Sequence, residues 1–83
     1  MNPRLLHVRF FAILREQAGT PAVEGSFTAV NPTELYADLQ QRFAGLVFPV
    51  HLLRVSVNER YVPMDTALNA GDRIVFIPPI AGG

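Results

Sequence analysis

The chain is predicted to fold as an α+β domain, a sheet carrying one main helix on one face. Three observations lead there. Segments with period-2 alternation stand near both ends, and a capped stretch of helical periodicity lies between them. With 83 residues, 49% of them apolar and 17% charged, the chain is expected to be one domain (residues 1–83) with a single small core.

The first element is "LLHVRFF". Leu6, Val8 and Phe10 alternate with His7, Arg9 and Phe11, the pattern of a half-buried strand. "AILREQAG" reads as a short helical turn that Gly19 closes as the residue past its end. "VEGSFTAV" is β-branched and aromatic but interrupted by Gly25, so a weak strand with a turn or bulge is expected.

"NPTELYADLQQRFAG" is the clearest helix. Asn31 suits the N-cap, Pro32 the first helical position, and Glu34 stands three residues after the cap. Leu35, Leu39 and Phe43 form an apolar stripe with Tyr36 beside it. Asp38 and Arg42 stand at i, i+4 for an ion pair, and Gly45 is expected to end the helix.

After a loop around Pro49, "LLRVSV" alternates again with Leu53, Val55 and Val57 on one face. "NER" is a tight connection to "YVP", which predicts a hairpin. "MDTALNAGD" is a loop with Gly71-Asp72 as its turn signal, and Asp65 and Asp72 are assigned to turns. "RIVFI" is the last strand, stopped by Pro78 and Pro79, which lack the N–H a ladder needs. This element order resembles that of ubiquitin-like β-grasp folds, whose first and last strands lie side by side at the sheet centre.

Composition narrows the function. The formal charge is zero, which argues against nucleic acid or an acidic membrane surface as partner. There is no cysteine, hence no disulfide and no thiolate metal site. The start lacks the roughly 7–15-residue apolar core of a signal peptide, and no stretch approaches the ~20 apolar residues of a membrane span. A cytoplasmic protein is expected. All seven basic residues are arginine. Compositional bias would produce this; it also leaves no ε-amino group to attack an activated C-terminus. His7 and His51 have no metal or catalytic partner at useful spacing, and no metal site is expected.

"VRFFAILREQAGT", "VNERYV" and "GDRIVFIPPIAGG" resemble the small subunits of molybdopterin synthases, which are ubiquitin-like sulfur carriers. The matching blocks stand at both ends and in the middle, and "FIPPIAGG" is the most specific. The resemblance implies a carrier without catalysis of its own, working in a heterotetrameric synthase. Its Gly83 carboxylate would be adenylated by a separate enzyme that uses ATP, then converted to a thiocarboxylate. The tail would enter the large synthase subunit and give its sulfur to a cyclic pyranopterin precursor. The chain itself would bind no cofactor. A sulfur carrier for thiamin or tRNA thiolation, or a β-grasp interaction module whose tail is never modified, are the alternatives.

The tail suits such a role. Gly82 and Gly83 have no Cβ and let the backbone approach reacting groups closely. Pro78 and Pro79 favour an extended exit, so fewer conformers are lost on insertion. With Ile80 and Ala81 between them, residues 78–83 span at most ~20 Å at roughly 3.3 Å each.

The body must be gripped while the tail is inserted. If Leu6, Val8 and Phe10 face the helix, Arg9 and Phe11 lie on the other face of the sheet. Ile74 and Phe76 then take the core side, which leaves Val75 and Ile77 outside with Leu52 and Arg54. That face would be an unusual apolar patch for a small monomer, with Arg9 and Arg54 meeting acidic partner groups at its rim. Arg15 in "ILREQ" stands at a family motif position, which fits a partner contact or a solvated helix residue equally.

Overall fold

A computed structural model describes residues 2–79. The order is β1 (Arg4–Phe10), α1 (Ile13–Ala18), β2 (Ala22–Phe27), α2 (Pro32–Arg42), a 3-10 turn (Val50–Leu52), β3 (Arg54–Val57), β4 (Arg60–Val62) and β5 (Arg73–Ile77). The five strands form one sheet in the order β2-β1-β5-β3-β4. β1 and β5 run parallel at its centre, and every other pair is antiparallel.

The alternation read from β1 and β5 holds. Leu6, Val8, Phe10, Ile74 and Phe76 are buried, and they share one core with Leu35, Tyr36 and Leu39 of α2. Tyr36 stacks at a tilt on Phe76, 5.2 Å between ring centroids, and donates its hydroxyl to the Phe48 carbonyl at 2.9 Å. Burial raises its pKa above the usual tyrosine range, because the phenolate would lose its hydration.

α2 starts as its capping residues dictate. Asn31 is extended, its side-chain oxygen accepts the Glu34 N–H at 2.9 Å, and Pro32 follows. Its end is different from the expectation. The helix stops at Arg42 with an extended Phe43 as C-cap, and Phe43 turns its ring edge-on to Phe10 at 5.7 Å. Gly45 lies beyond the helix, where a Cβ would sit 2.6 Å from the Gln17 carbonyl oxygen. Close approach to α1, not helix termination, requires glycine there. The Gln17 side chain completes this contact by accepting the N–H groups of Val47 and Phe48, both at 3.0 Å.

Three further expectations are corrected. β2 has no bulge: Gly25 pairs in unbroken register with Leu6. Asp38 and Arg42 are not among the ion pairs of the described residues. Arg42 instead swings to β2, its guanidinium 4.2 Å from the Phe27 ring centroid and 3.2 Å from the Ser26 carbonyl. Leu52 is not a strand residue; it ends the 3-10 turn, and β3 begins at Arg54.

β3 and β4 are joined by Asn58 and Glu59, both with positive φ (53° and 70°), the twist a two-residue hairpin needs. Asn58 and Arg73 continue the β3–β5 ladder past the turn. The Asn58 N–H donates to the Arg73 carbonyl at 2.8 Å, and the Arg73 N–H donates to the Asn58 side-chain oxygen at 3.0 Å. Asp72 thus does more than serve a turn: nearly buried, it holds Asn58 and the Asn69 N–H together.

Candidate functional site

The face of the sheet away from α2 is built by strand parity. Registered pairs place Arg9, Val75, Ser56 and Tyr61 in one row across β1, β5, β3 and β4. A second row pairs Ile77 with Arg54. Phe11, the residue after β1, follows Phe10 in alternation and is 58% exposed. Val75 and Ile77 are half-buried, while Arg9 and Arg54 are exposed. Strand parity therefore puts Ile77, Val75, Arg9 and Arg54 on one face, as the alternation predicts, while Phe11 stands exposed just past the end of β1 without a registered partner.

Two residues fall elsewhere. Leu52 is 49% exposed but sits in the 3-10 turn, outside the strand rows. Arg15 is exposed on α1, also outside them, and its carbonyl accepts the N–H of the C-cap Gly19.

One member of the face escaped the sequence reading. Tyr61 is 69% exposed and stands opposite Ser56. Its signal lay in "VNERYV": a two-residue turn at Asn58-Glu59 forces Val57 against Arg60 and hence Ser56 against Tyr61. Ser56, small and set between Val75 and Tyr61, is only 8% exposed although it lies on the outer face.

Charge surrounds this apolar centre. His7 Nδ1 lies 2.8 Å from Glu24 Oε2, so His7 has a carboxylate partner in space that sequence spacing did not reveal. Arg73 lies 3.8 Å from Glu59. His7, Arg9, Glu59, Arg73, Ile74 and Val75 line a cavity of about 230 Å³. Among the described residues no group of three or more His, Asp or Glu is placed to hold a metal ion. No helix among them is long and apolar enough to cross a membrane.

The exit toward the tail follows from β5. After Ile74 and Phe76, Pro78 keeps the core-side position and is buried, and Pro79 is exposed. Ile80, Ala81, Gly82 and Gly83 lie outside the described residues.

A mixed sheet with parallel first and last strands at its centre and one long helix across one face is the architecture of the ubiquitin-like β-grasp class. The chain belongs to the ThiS family, which it matches over residues 8–83. It is 37% identical to the molybdopterin synthase sulfur carrier subunit of Haemophilus influenzae, over 95% of this chain and 100% of that protein. Its fold is similar to the solution structure of the Haloferax volcanii HVO 2177 protein, with a TM-score of 0.80 and 28% identity, covering 99% of this chain and 89% of that one. It is also similar to a chain in the protein–protein complex of subunits 1 and 2 of molybdopterin-converting factor from Helicobacter pylori. There the TM-score is 0.62 and the identity 28%, over 95% of this chain and 99% of that chain.

Proposed function

We propose that this chain is a cytoplasmic sulfur-carrier subunit of molybdopterin synthase, and that the Gly83 carboxylate is the group that receives and gives up sulfur. The observation that favours this reading is the near-full-length similarity to the molybdopterin synthase sulfur carrier subunit of Haemophilus influenzae, and the ThiS family match takes in "FIPPIAGG".

The chemistry explains the tail. A carboxylate is a poor electrophile at neutral pH. Attack of Gly83 on ATP, on the adenylating partner, releases pyrophosphate and gives an acyl-adenylate. A sulfur donor then displaces AMP and leaves a terminal thiocarboxylate. That sulfur attacks the pyranopterin precursor in the large subunit, and water then hydrolyses the acyl–sulfur bond, leaving the sulfur on the precursor and returning the carrier as a carboxylate. The chain supplies the reacting terminus and no catalytic group, and it binds no cofactor itself.

The outer face supplies the grip. Phe11, Val75, Ile77 and Tyr61 form the apolar centre of the docking surface, and Arg9 and Arg54 meet acidic groups at its rim. Leu52 and Arg15 are peripheral contacts.

Incubation with an adenylating enzyme, ATP and a sulfur source tests the reading by intact mass. Oxygen-to-sulfur exchange adds about 16 Da, and an unmodified interaction module would gain nothing. Complementation of cells lacking the synthase small subunit separates this pathway from thiamin or tRNA thiolation. Restored molybdoenzyme activity that disappears on deleting Gly83 is the expected result.

A further inference from the structure

β2 is an edge strand, and the register fixes which of its backbone groups face outward. Phe10 N–H donates to the Pro21 carbonyl at 3.0 Å. With β1 and β2 antiparallel, the pairs Val8–Val23, Leu6–Gly25 and Arg4–Phe27 are then the hydrogen-bonded ones. Ala22, Glu24 and Ser26 turn their N–H and C=O groups away from β1, toward the open edge.

Such an edge is a template for a second copy of the chain. The simplest pairing is antiparallel about a twofold axis at Glu24. It would join the Ala22 N–H to the partner's Ser26 carbonyl and the Ser26 N–H to its Ala22 carbonyl. Both carbonyls already have side-chain donors. Thr20 Oγ1 donates to the Ala22 carbonyl at 3.0 Å, and Arg42 Nη2 donates to the Ser26 carbonyl at 3.2 Å.

Arg42 is held there by more than one contact. Its guanidinium lies over Phe27, and Nη1 is 3.5 Å from where a Gly25 Cβ would be. The third deterrent is Glu24 itself: held against His7 Nδ1 at 2.8 Å within its own chain, it would stand directly opposite its own copy across the twofold and bring two carboxylates together.

The opposite edge needs no such device. β4 has three residues, and only Tyr61 turns its backbone outward before Pro63 ends the strand.

We infer that Thr20, Glu24 and Arg42 together close the β2 edge against a second copy of this chain, keeping the domain monomeric while its outer face stays available. Register, the two side-chain donors and the Glu24 charge carry it, independently of the sulfur-carrier reading.

The test compares oligomeric state by sedimentation velocity. The variant Thr20→Val, Glu24→Thr, Arg42→Met removes both donors and the charge while retaining the arginine stem's packing on Phe27. Its apparent mass is expected to rise with concentration toward twice the 9.2 kDa of the monomer, while the wild type stays at 9.2 kDa. Placing Pro at position 24 instead of Thr removes the central outward N–H and should return the mass to the monomer value. A monomeric triple variant at all concentrations at which the wild type is soluble overturns the inference. So does association that survives the proline. Should the triple variant fail to fold, Thr20→Val with Glu24→Thr, which leaves Arg42 in place, is judged by the same criteria with partial association expected.

Discussion

Asn58 Nδ2 donates to Asp72 Oδ1 at 2.9 Å, and this contact ties the hairpin turn of β3–β4 to the loop that feeds β5. Asp72 is 8% exposed, and its second oxygen accepts the Asn69 N–H at 2.8 Å. Both oxygens of one carboxylate are therefore committed to order the end of the outer face that carries Arg73 and Glu59.

Asp72→Ala should accordingly destabilise the domain by about 1–3 kcal/mol, because the Asn58 amide and the Asn69 N–H lose their acceptor. In a domain of this size each kcal/mol shifts Tm by roughly 4–8 °C. Asp72→Asn keeps one acceptor oxygen and should fall between the two. Urea titrations of the three proteins check the order; an Ala variant as stable as wild type would refute it.

Gly45→Ala should be costly for a different reason. The added Cβ would meet the Gln17 carbonyl at 2.6 Å, and a backbone atom cannot step aside like a side-chain tip. A loss of about 1–3 kcal/mol is expected from overpacking. Gly25→Ala, whose Cβ has 3.5 Å to the movable Arg42 guanidinium, should cost less. The ranking of the two midpoints is the readout.

Tyr36 predicts an alkaline limb. Its raised pKa means that the unfolded chain ionises first, near the ordinary value of about 10. Above that pH the native state holds more protons, so stability falls as pH rises. The contribution from keeping Tyr36 neutral is complete below the unfolded value and is lost through the folded one. Tyr36→Phe should cost about 0.5–1.5 kcal/mol at neutral pH through the lost bond to Phe48, and its alkaline decline should be shallower. Parallel slopes for the two proteins above pH 10 would contradict this.

The docking face predicts a separation of binding from folding. Ile77→Glu or Phe11→Asp should weaken affinity for the large subunit by about 2 kcal/mol or more, as central apolar contacts do. Tyr61→Ala should also weaken it, since Tyr61 stands in one row with Ser56, Val75 and Arg9. Calorimetric titration with the purified large subunit, alongside unchanged circular dichroism, provides the measurement. Undiminished binding in all three would remove this face from the interface.

Extending the chain by one residue beyond Gly83 should abolish carrier function, since the new carboxylate would carry a displaced carbonyl and a side chain. An alanine-extended protein that supports cofactor production without first being trimmed would sink the proposal. Intact mass of the recovered carrier distinguishes trimming from tolerance.

Much of the fold was legible because its signals are local. The alternation in "LLHVRFF" and "RIVFI" assigns each side chain to a face whatever strand lies beside it. The Asn31-Pro32-Glu34 cluster starts a helix through bonds closed within one turn. The end of α2 was not legible, because Gly45 has the composition of a C-cap but answers to Gln17 of α1, a contact no local window contains. The same holds for Arg42. At i, i+4 from Asp38 an exposed ion pair is worth only a few tenths of a kcal/mol, whereas the Phe27 ring and the Ser26 carbonyl offer it both a surface and an acceptor.

By itself, the sequence determined the two faces of the sheet, the helix start and the composition of the terminal segment, because period, capping chemistry and covalent order are properties of neighbours along the chain. Only the tertiary structure decided that Tyr61 joins Arg9 and Val75, that Glu24 receives His7, and that Arg42 crosses to β2. Those depend on strand register, which is settled by the packing of the whole core, and a shift of one residue would send every side chain to the opposite face.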